Sequence, residues 1–268
     1  MFFKDVREAP HFGAALLGHQ GVFMKRKILA TIFVLAMTGS IFAAGFPSYL
    51  KMQGTVIVGC NKASLPANLV IPEGVTAIGN GVFFECENLK SVVIPEGVTS
   101  IGYQAFFNCN LLTKVSLPQS LITIGAEAFS FCASLSEIKI PENVNSIGSR
   151  AFARCHGPTS VTIPGSLMTI SDSAFERCEG LERVEIEDGV MAIEVYAFKE
   201  CFWLESITIP DSVIRIGEWA FNECDILTSI QYKGTKRQWA SINFPPDNNW
   251  FPFEKGLVVH CKDGDITL

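Results

Sequence analysis

Cysteine is the side chain in this sequence best placed to do chemistry, and it recurs at a fixed interval. Seven of the nine cysteines fall at 86, 109, 132, 155, 178, 201 and 224, each step being 23 residues. Thiolates bind zinc, but a tetrahedral site needs clustered ligands, usually as C-x2-C pairs. One cysteine per 23 residues stacks into a straight column instead. His156 beside Cys155 is the only imidazole near that column. Disulfides along it satisfy distance but not direction, because stacked side chains point the same way. Cysteine also packs as a small buried hydrophobe. The expectation is therefore that Cys86 through Cys224 are buried, reduced and metal-free. Cys60 and Cys261 flank the series at opposite ends, roughly 30 Å apart if seven coils rise by ~4.8 Å each, which is too far to bridge.

Other reactive groups are sparse. Beyond residue 45 there are two histidines, His156 and His260, and neither belongs to a nucleophile or metal motif. No glycine-rich phosphate loop follows a strand pattern. Carboxylates are plentiful but keep the repeat register: Glu73, Glu96, Glu142, Asp188 and Asp211 occupy equivalent turn positions. That row reads either as solvated turn residues or as an acidic ribbon for a basic partner or calcium. The chain is thus read as no enzyme, with no cofactor. The formal charge is −6; residues 1–45 hold five of the 21 basic and two of the 27 acidic residues, leaving 16 and 25 and a net charge of −9. An acidic surface repels phosphate backbones, which argues against nucleic acid as a partner.

The elements that must position these residues share the same period. Phe83, Phe106, Phe129, Phe152, Phe175, Phe198 and Phe221 step by 23, as do Ile78, Ile101, Ile124, Ile147, Ile170, Ile193 and Ile216. One unit, Leu89 to Cys109, reads LKSVVIPEGVTSIGYQAFFNC. Val92 and Ile94 alternate with Ser91 and Val93, the period-two signature of a strand. Pro95 ends the ladder because it has no N–H to donate. Glu96-Gly97 supplies turn chemistry. Gly102 breaks the chain again, and Gln104 to Asn108 is short enough to be only one turn or a 3₁₀ piece. A single coil cannot bury its own apolar face, so the coils must stack, Ile on Ile and Phe on Phe.

The pattern I-P-E-G-V-x-x-I-G-x-x-A-F-x-x-C resembles the BspA-like leucine-rich-repeat class of bacterial surface and exported proteins, found also in treponemes. The likeness covers about residues 54 to 264, and the runs QYKGTKRQWASI and VVHCKDG resemble that family's closing segment. The resemblance implies a repeat solenoid with a parallel β-sheet on the concave side and short 3₁₀ or helical turns on the convex side. It also implies a binding or attachment protein with no catalytic residues to carry over. Four positions depart from the pattern: Pro158 replaces the strand-leading Leu, Glu187 the Pro after Ile186, and Ser171 and Glu194 the Gly after the second Ile.

If the Val92 and Ile94 types point inward, their neighbours form an outward face. Its first row is Ser91, Lys114, Glu137, Ser160, Arg183, Ser206 and Ser229. Its second is Val93, Ser116, Lys139, Thr162, Glu185, Thr208 and Gln231. Such a face is a solvated polar sheet or, because solenoids curve, an extended concave binding surface. Phe202 and Trp203 stand where other coils are mostly polar or small. They read as an interface anchor or as packing against Leu227 and the C-terminal cap. The candidate partner is a protein, host extracellular or envelope, or a glycan. The alternative is a structural or assembly protein of the cell envelope that binds a partner of the same cell.

Residues 46–70, with Gly54 to Val58 as first strand, are expected to cap one end of repeats spanning 71–232. Residues 233–268, with Trp239, Phe244, Trp250, Phe251 and Phe253, cap the other. Residues 24–45, MKRKILATIFVLAMTGSIFAAG, have the layout of a secretory signal peptide: Lys25, Arg26 and Lys27, then ten apolar residues from Ile28 to Met37, then small residues with Ala43 and Gly45 at −3 and −1. The competing reading is a membrane anchor, for which the apolar run falls short of the ~20 residues needed. No cysteine near the junction supports lipidation. Residues 1–23 read as an upstream extension, with Met24 as the start of the leader. The expected location is outside the cytoplasm: periplasmic, outer-surface or secreted, with no membrane span once the leader is removed. Mass spectrometry of the native exported protein should find an N-terminus between Ala44 and Pro47. A mature chain beginning at Met1 or Met24 would contradict cleavage.

Overall fold

A computed structural model describes residues 45–246 and 256–268. Phe46–Leu268 form one compact unit. The expected leader and Trp250, Phe251 and Phe253 of the expected C-terminal cap lie outside the described residues.

Each 23-residue repeat closes into one coil, and the coils stack into a solenoid with two strand ladders and one ladder of turns. In the first ladder, Asn68–Val70, Ser91–Val93 and Lys114–Ser116 pair in parallel, with Leu69, Val92 and Val115 in register. Ser160–Ile163, Arg183–Ile186, Ser206–Ile209 and Ser229–Tyr232 carry the same ladder onward, with Val161, Val184, Ile207 and Ile230 in register. The second ladder was not separable from sequence. It consists of two-residue strands ending on the repeated Ile: Ala77–Ile78, Ser100–Ile101, Thr123–Ile124 and Ser146–Ile147, then Thr169–Ile170, Ala192–Ile193 and Arg215–Ile216. Two residues cannot display a period-two pattern, and only neighbouring coils identify them as strands.

The strand face is not one regular sheet, as the unbroken period implied. No strand forms across Ser136–Ile140, and Ser146–Ile147 is not joined to Thr169–Ile170. Glu137 and Lys139 therefore leave the sheet. The departures Pro158 and Ser171 lie in the very next coil. Pro158 has no N–H for the turn bond that Leu135 and Leu181 donate to the carbonyls of Cys132 and Cys178. Ser171 uses its hydroxyl instead of a backbone N–H to reach the Ile147 carbonyl, at 2.5 Å, whereas Gly148 N–H donates to Ile124 at 2.8 Å.

The turn ladder crosses this interruption intact. Phe129 N–H donates to Ala151 and Phe152 N–H to Ala174, at 2.8 and 2.9 Å. The Gln104 to Asn108 segment and its equivalents are runs of turns, whereas the 3₁₀ piece Lys62–Ser64 lies in the N-terminal cap. Alternate N–H groups serve different partners. Phe106 donates to Ala128 in the next coil, and Ala105 donates back to Gly102 in its own. Left-handed residues recur twice per coil to make this possible, as at Gln104 and Asn108 with φ of 52° and 57°. Non-glycine residues adopt that region only at a cost of about 1–2 kcal/mol each, which the two sets of hydrogen bonds offset.

The core is a set of continuous columns. Phe83 to Phe221 are fully or almost fully buried and stack with centroid spacings from 5.0 to 5.6 Å. Cys86 through Cys224 are buried, and none of the nine cysteines is in a disulfide. Each thiol from Cys109 onward donates to the carbonyl of the Phe 26 residues earlier, as Cys109 to Phe83 at 3.1 Å and Cys155 to Phe129 at 3.2 Å. The same Phe83 carbonyl accepts the N–H of Cys86, so both of its lone pairs are used. Burial pushes the thiols of Cys109, Cys132, Cys155, Cys178 and Cys201 up, to about 12 at Cys109 and Cys178. They stay protonated and unreactive.

Antiparallel hairpins close both ends. Leu50–Gln53 pairs with Val56–Cys60 across a turn in which Gly54 is left-handed, and Val56–Cys60 then joins the second ladder. The strand expected over Gly54 to Val58 thus runs from Val56 to Cys60 and is the second of the cap, not the first. At the far end Val258–Cys261 extends the first ladder and pairs with Gly264–Thr267. The helix Lys236–Trp239 starts at a Thr235/Gln238 capping box and buries Trp239 edge-on against Tyr232 at 5.1 Å.

On the turn side lies a nearly buried carboxylate, Glu200. It pairs with Arg177, and Lys199 Nζ is 3.1 Å away. Burial alone would raise its pKa, but hydrogen bonds from Lys199 and Arg177 outweigh it and hold the carboxyl below the usual range. A depressed carboxylate pKa stabilises the fold above the unfolded value of about 4.3, and the gain is lost as pH falls through the folded value.

Two stability predictions result. Phe152→Ala should destabilise by ~3–5 kcal/mol in chemical denaturation, as large cavities in a packed interior do; a loss near zero would contradict the stacked core. Glu200→Gln should lower Tm at pH 7, with the gap to the wild type closing below about pH 4. A gap independent of pH would show that the ion pairs are not its cause.

Candidate binding surface

The outward rows occur as expected wherever the first ladder exists. Ser160, Arg183, Ser206 and Ser229 are direct cross-strand neighbours, as are Thr162, Glu185, Thr208 and Gln231. On the other side of the interruption, Ser91 pairs with Lys114 and Val93 with Ser116. Their orientation is set by the buried Val92, Val161, Val184 and Ile207 between them, since alternate residues of a strand face opposite ways. Lys114, Ser116, Ser160, Thr162, Arg183 and Glu185 are exposed; Ser91, Ser206 and Thr208 are half-buried.

Three features of this face come only from the structure. The first is its division. Glu137 and Lys139 lie between the two stretches of sheet and pair with each other at 2.8 Å. The hydrogen bond from Lys139 holds the Glu137 carboxyl below the ordinary range, with Lys114 adding to the effect. The second is its extent. Asn68 and Val70 lengthen the rows at one end, and Val258 and His260 at the other. His260 Nδ1 lies 2.9 Å from Asp265 Oδ1. Sequence reasoning missed His260 because its strand lies outside the 23-residue register; the apolar alternation of Val259 and Cys261 around it was the available signal. The third is Trp203. Its indole is 62% exposed, so it does not pack under the C-terminal cap; Phe202 is half-buried. In the same coil Glu205 reaches to 4.0 Å from Arg183.

The acidic turn row is partly committed to structure. Glu96 accepts the backbone N–H groups of Gln119 and Ser120 in the next coil, at 2.9 and 3.0 Å, which lowers its pKa. Asp211 faces Lys262 at 3.5 Å. Among the described residues no three His, Cys, Asp or Glu side chains converge as metal ligands. What the strand face offers is a broad, hydrogen-bonding surface of mixed charge, with one large aromatic at its edge.

The 23-residue coil and its skeleton are shared with known proteins. Residues 60–181 and 150–244 match the family model for the BspA type leucine rich repeat region, in six copies. A leucine rich repeat protein of T. pallidum has a similar structure, with a TM-score of 0.62 at 27% identity over 68% of this chain and 89% of that one. A leucine-rich repeat protein from Bacteroides ovatus ATCC 8483 superposes with a TM-score of 0.52, also at 27% identity, over 70% of this chain and 63% of that one. A search of curated proteins finds no match. On the strength of the repeat and the coil geometry alike, this chain belongs to the BspA-type leucine-rich-repeat family.

Proposed function

We propose that this chain is an exported, non-catalytic repeat scaffold that binds a protein or glycan partner through its concave strand face, with host attachment as one use. The observation that carries the reading is Trp203, a largely exposed side chain that leads into the strand ladder holding Arg183 and Glu185. Aromatic and arginine side chains are enriched among the few residues that dominate binding energy. Strands fixed by neighbours on both sides leave little side-chain and backbone entropy to lose on association. Mixed charge suits a protein or glycan better than a polyanion. Export is supported by the leader layout of residues 24–45, and no described helix is long and apolar enough to cross a membrane.

The test is a pull-down of envelope and host extracellular proteins with the mature chain, followed by affinity measurement on the partner recovered. Trp203→Ala and Arg183→Ala should each leave the fold intact and weaken binding by about 1 kcal/mol or more, roughly fivefold. Glu142→Ala, at an exposed turn, should have little effect. Unchanged affinity in the strand-face variants, with loss on changing a turn or cap residue, would move the site elsewhere.

A further inference from the structure

The cysteine column changes character at its first coil. From Cys109 to Cys224 each thiol meets the carbonyl oxygen of a Phe 26 residues earlier, at 3.1 to 3.3 Å. The residue 26 before Cys86 is Cys60, the last of the capping strand Val56–Cys60. Its sulfur lies 4.0 Å from Cys86 Sγ, and it meets the Val82 carbonyl at 3.1 Å. Where every later coil sets an oxygen over the thiol, the first sets a second sulfur.

The two sulfurs are unequal. Cys86 is buried, whereas Cys60 is only partly so. On the Cys86 side lies an open depression of about 240 Å³, lined by Lys62, Glu85, Cys86 and Asn88 among others. The hydrogen bond from Cys86 brings the Cys60 thiol down to about 7 against the opposing effect of burial, with the Lys62 and Lys51 ammonium groups assisting. The same pairing, with burial, pushes Cys86 up. One member is thus an accessible thiolate near neutral pH, and the other holds its proton.

We propose that Cys60 and Cys86 form a dithiol site whose substrate is a small-molecule disulfide. The Cys60 thiolate attacks one sulfur of R–S–S–R. The S–S bond breaks, and RS⁻ leaves with the electron pair and takes a proton from water. Cys86 then gives its proton to solvent and attacks the Cys60 sulfur of the mixed disulfide, expelling the second RS⁻, which is protonated in turn. Two protein thiols are oxidised to one disulfide, and the external disulfide is reduced to two thiols. The sulfurs must close from 4.0 Å to about 2.05 Å. The product fastens the capping strand Val56–Cys60 to the first coil. Cys86 is in this respect the exception to the inert column expected from its spacing, and the site is independent of the strand-face reading.

The test treats the reduced full chain with oxidised glutathione, quenches with iodoacetamide and maps the cysteines by mass spectrometry. Cys60 should react at least about tenfold faster than Cys109 or Cys132, as an accessible thiolate does relative to a buried thiol. The wild type should end as the Cys60–Cys86 disulfide, with slower hydrogen exchange over Val56–Cys60. Cys86→Ser should stop at a glutathione adduct on Cys60, and Cys60→Ser should form no adduct while folded. Circular dichroism checks each variant; if Cys86→Ser does not fold, the wild-type map and Cys60→Ser decide the matter. Cys60 reacting no faster than Cys109, or a lasting Cys60 adduct in the wild type with Cys86 still free, would overturn the proposal.

Discussion

The structure depends on one constraint: each coil satisfies its backbone through the coils on either side. An unpaired buried N–H or C=O costs as much as a lost hydrogen bond. Here the carbonyls of Ile78, Lys90 and Phe107 all accept from residues in adjacent coils, at 2.8, 2.9 and 2.7 Å. A coil one residue longer would be out of step, past the added residue, with the coils it pairs with. That is why Phe, Ile and Cys hold a strict 23-residue step across seven copies. The apolar columns follow, because equal coils place equal side chains directly over one another. The Phe rings stack nearly parallel, within 7° from Phe106 to Phe221, and each thiol finds the carbonyl below it.

The same constraint makes the ends and the interruption informative. A terminal coil has backbone groups with no neighbour, so each end turns one strand back on itself as an antiparallel hairpin. The N-terminal hairpin joins the second ladder and the C-terminal one the first. At the N-terminus the substitute is imperfect, because Cys60 offers sulfur where a carbonyl belongs. In the middle, both strand ladders lapse at one coil while the turn ladder and the Phe column continue. The solenoid therefore tolerates lost strand pairing when two of its four repeated features still hold.

Binding is separable from this architecture. The inward Val and Ile of each strand are fixed by packing, and the residues between them are free to vary without disturbing it. That freedom accounts for a face on which Lys114, Thr162, Arg183 and Glu185 occur in equivalent settings. Repeat folds reuse one frame for many partners in this way.

The amino-acid sequence by itself determined the solenoid, the coil length and, outside the coil of Ser136–Ile140, the first strand of each repeat and its outward positions, because periodic burial is written directly in residue order. Pro95 and its equivalents marked the strand ends, and the Phe and Cys columns followed from equal spacing. Tertiary structure alone decided the rest, for three physical reasons. Strands such as Ser100–Ile101 are too short to carry a pattern and exist only through pairing with neighbours. The left-handed turns at Gln104 and Asn108 oppose local preference and are held by bonds between coils. The exposure of Trp203, the break at Glu137 and Lys139, and the approach of Cys60 to Cys86 depend on where residues outside the repeat pattern come to rest. Periodicity can place a coil, but it cannot say what meets the coil at an end or a defect.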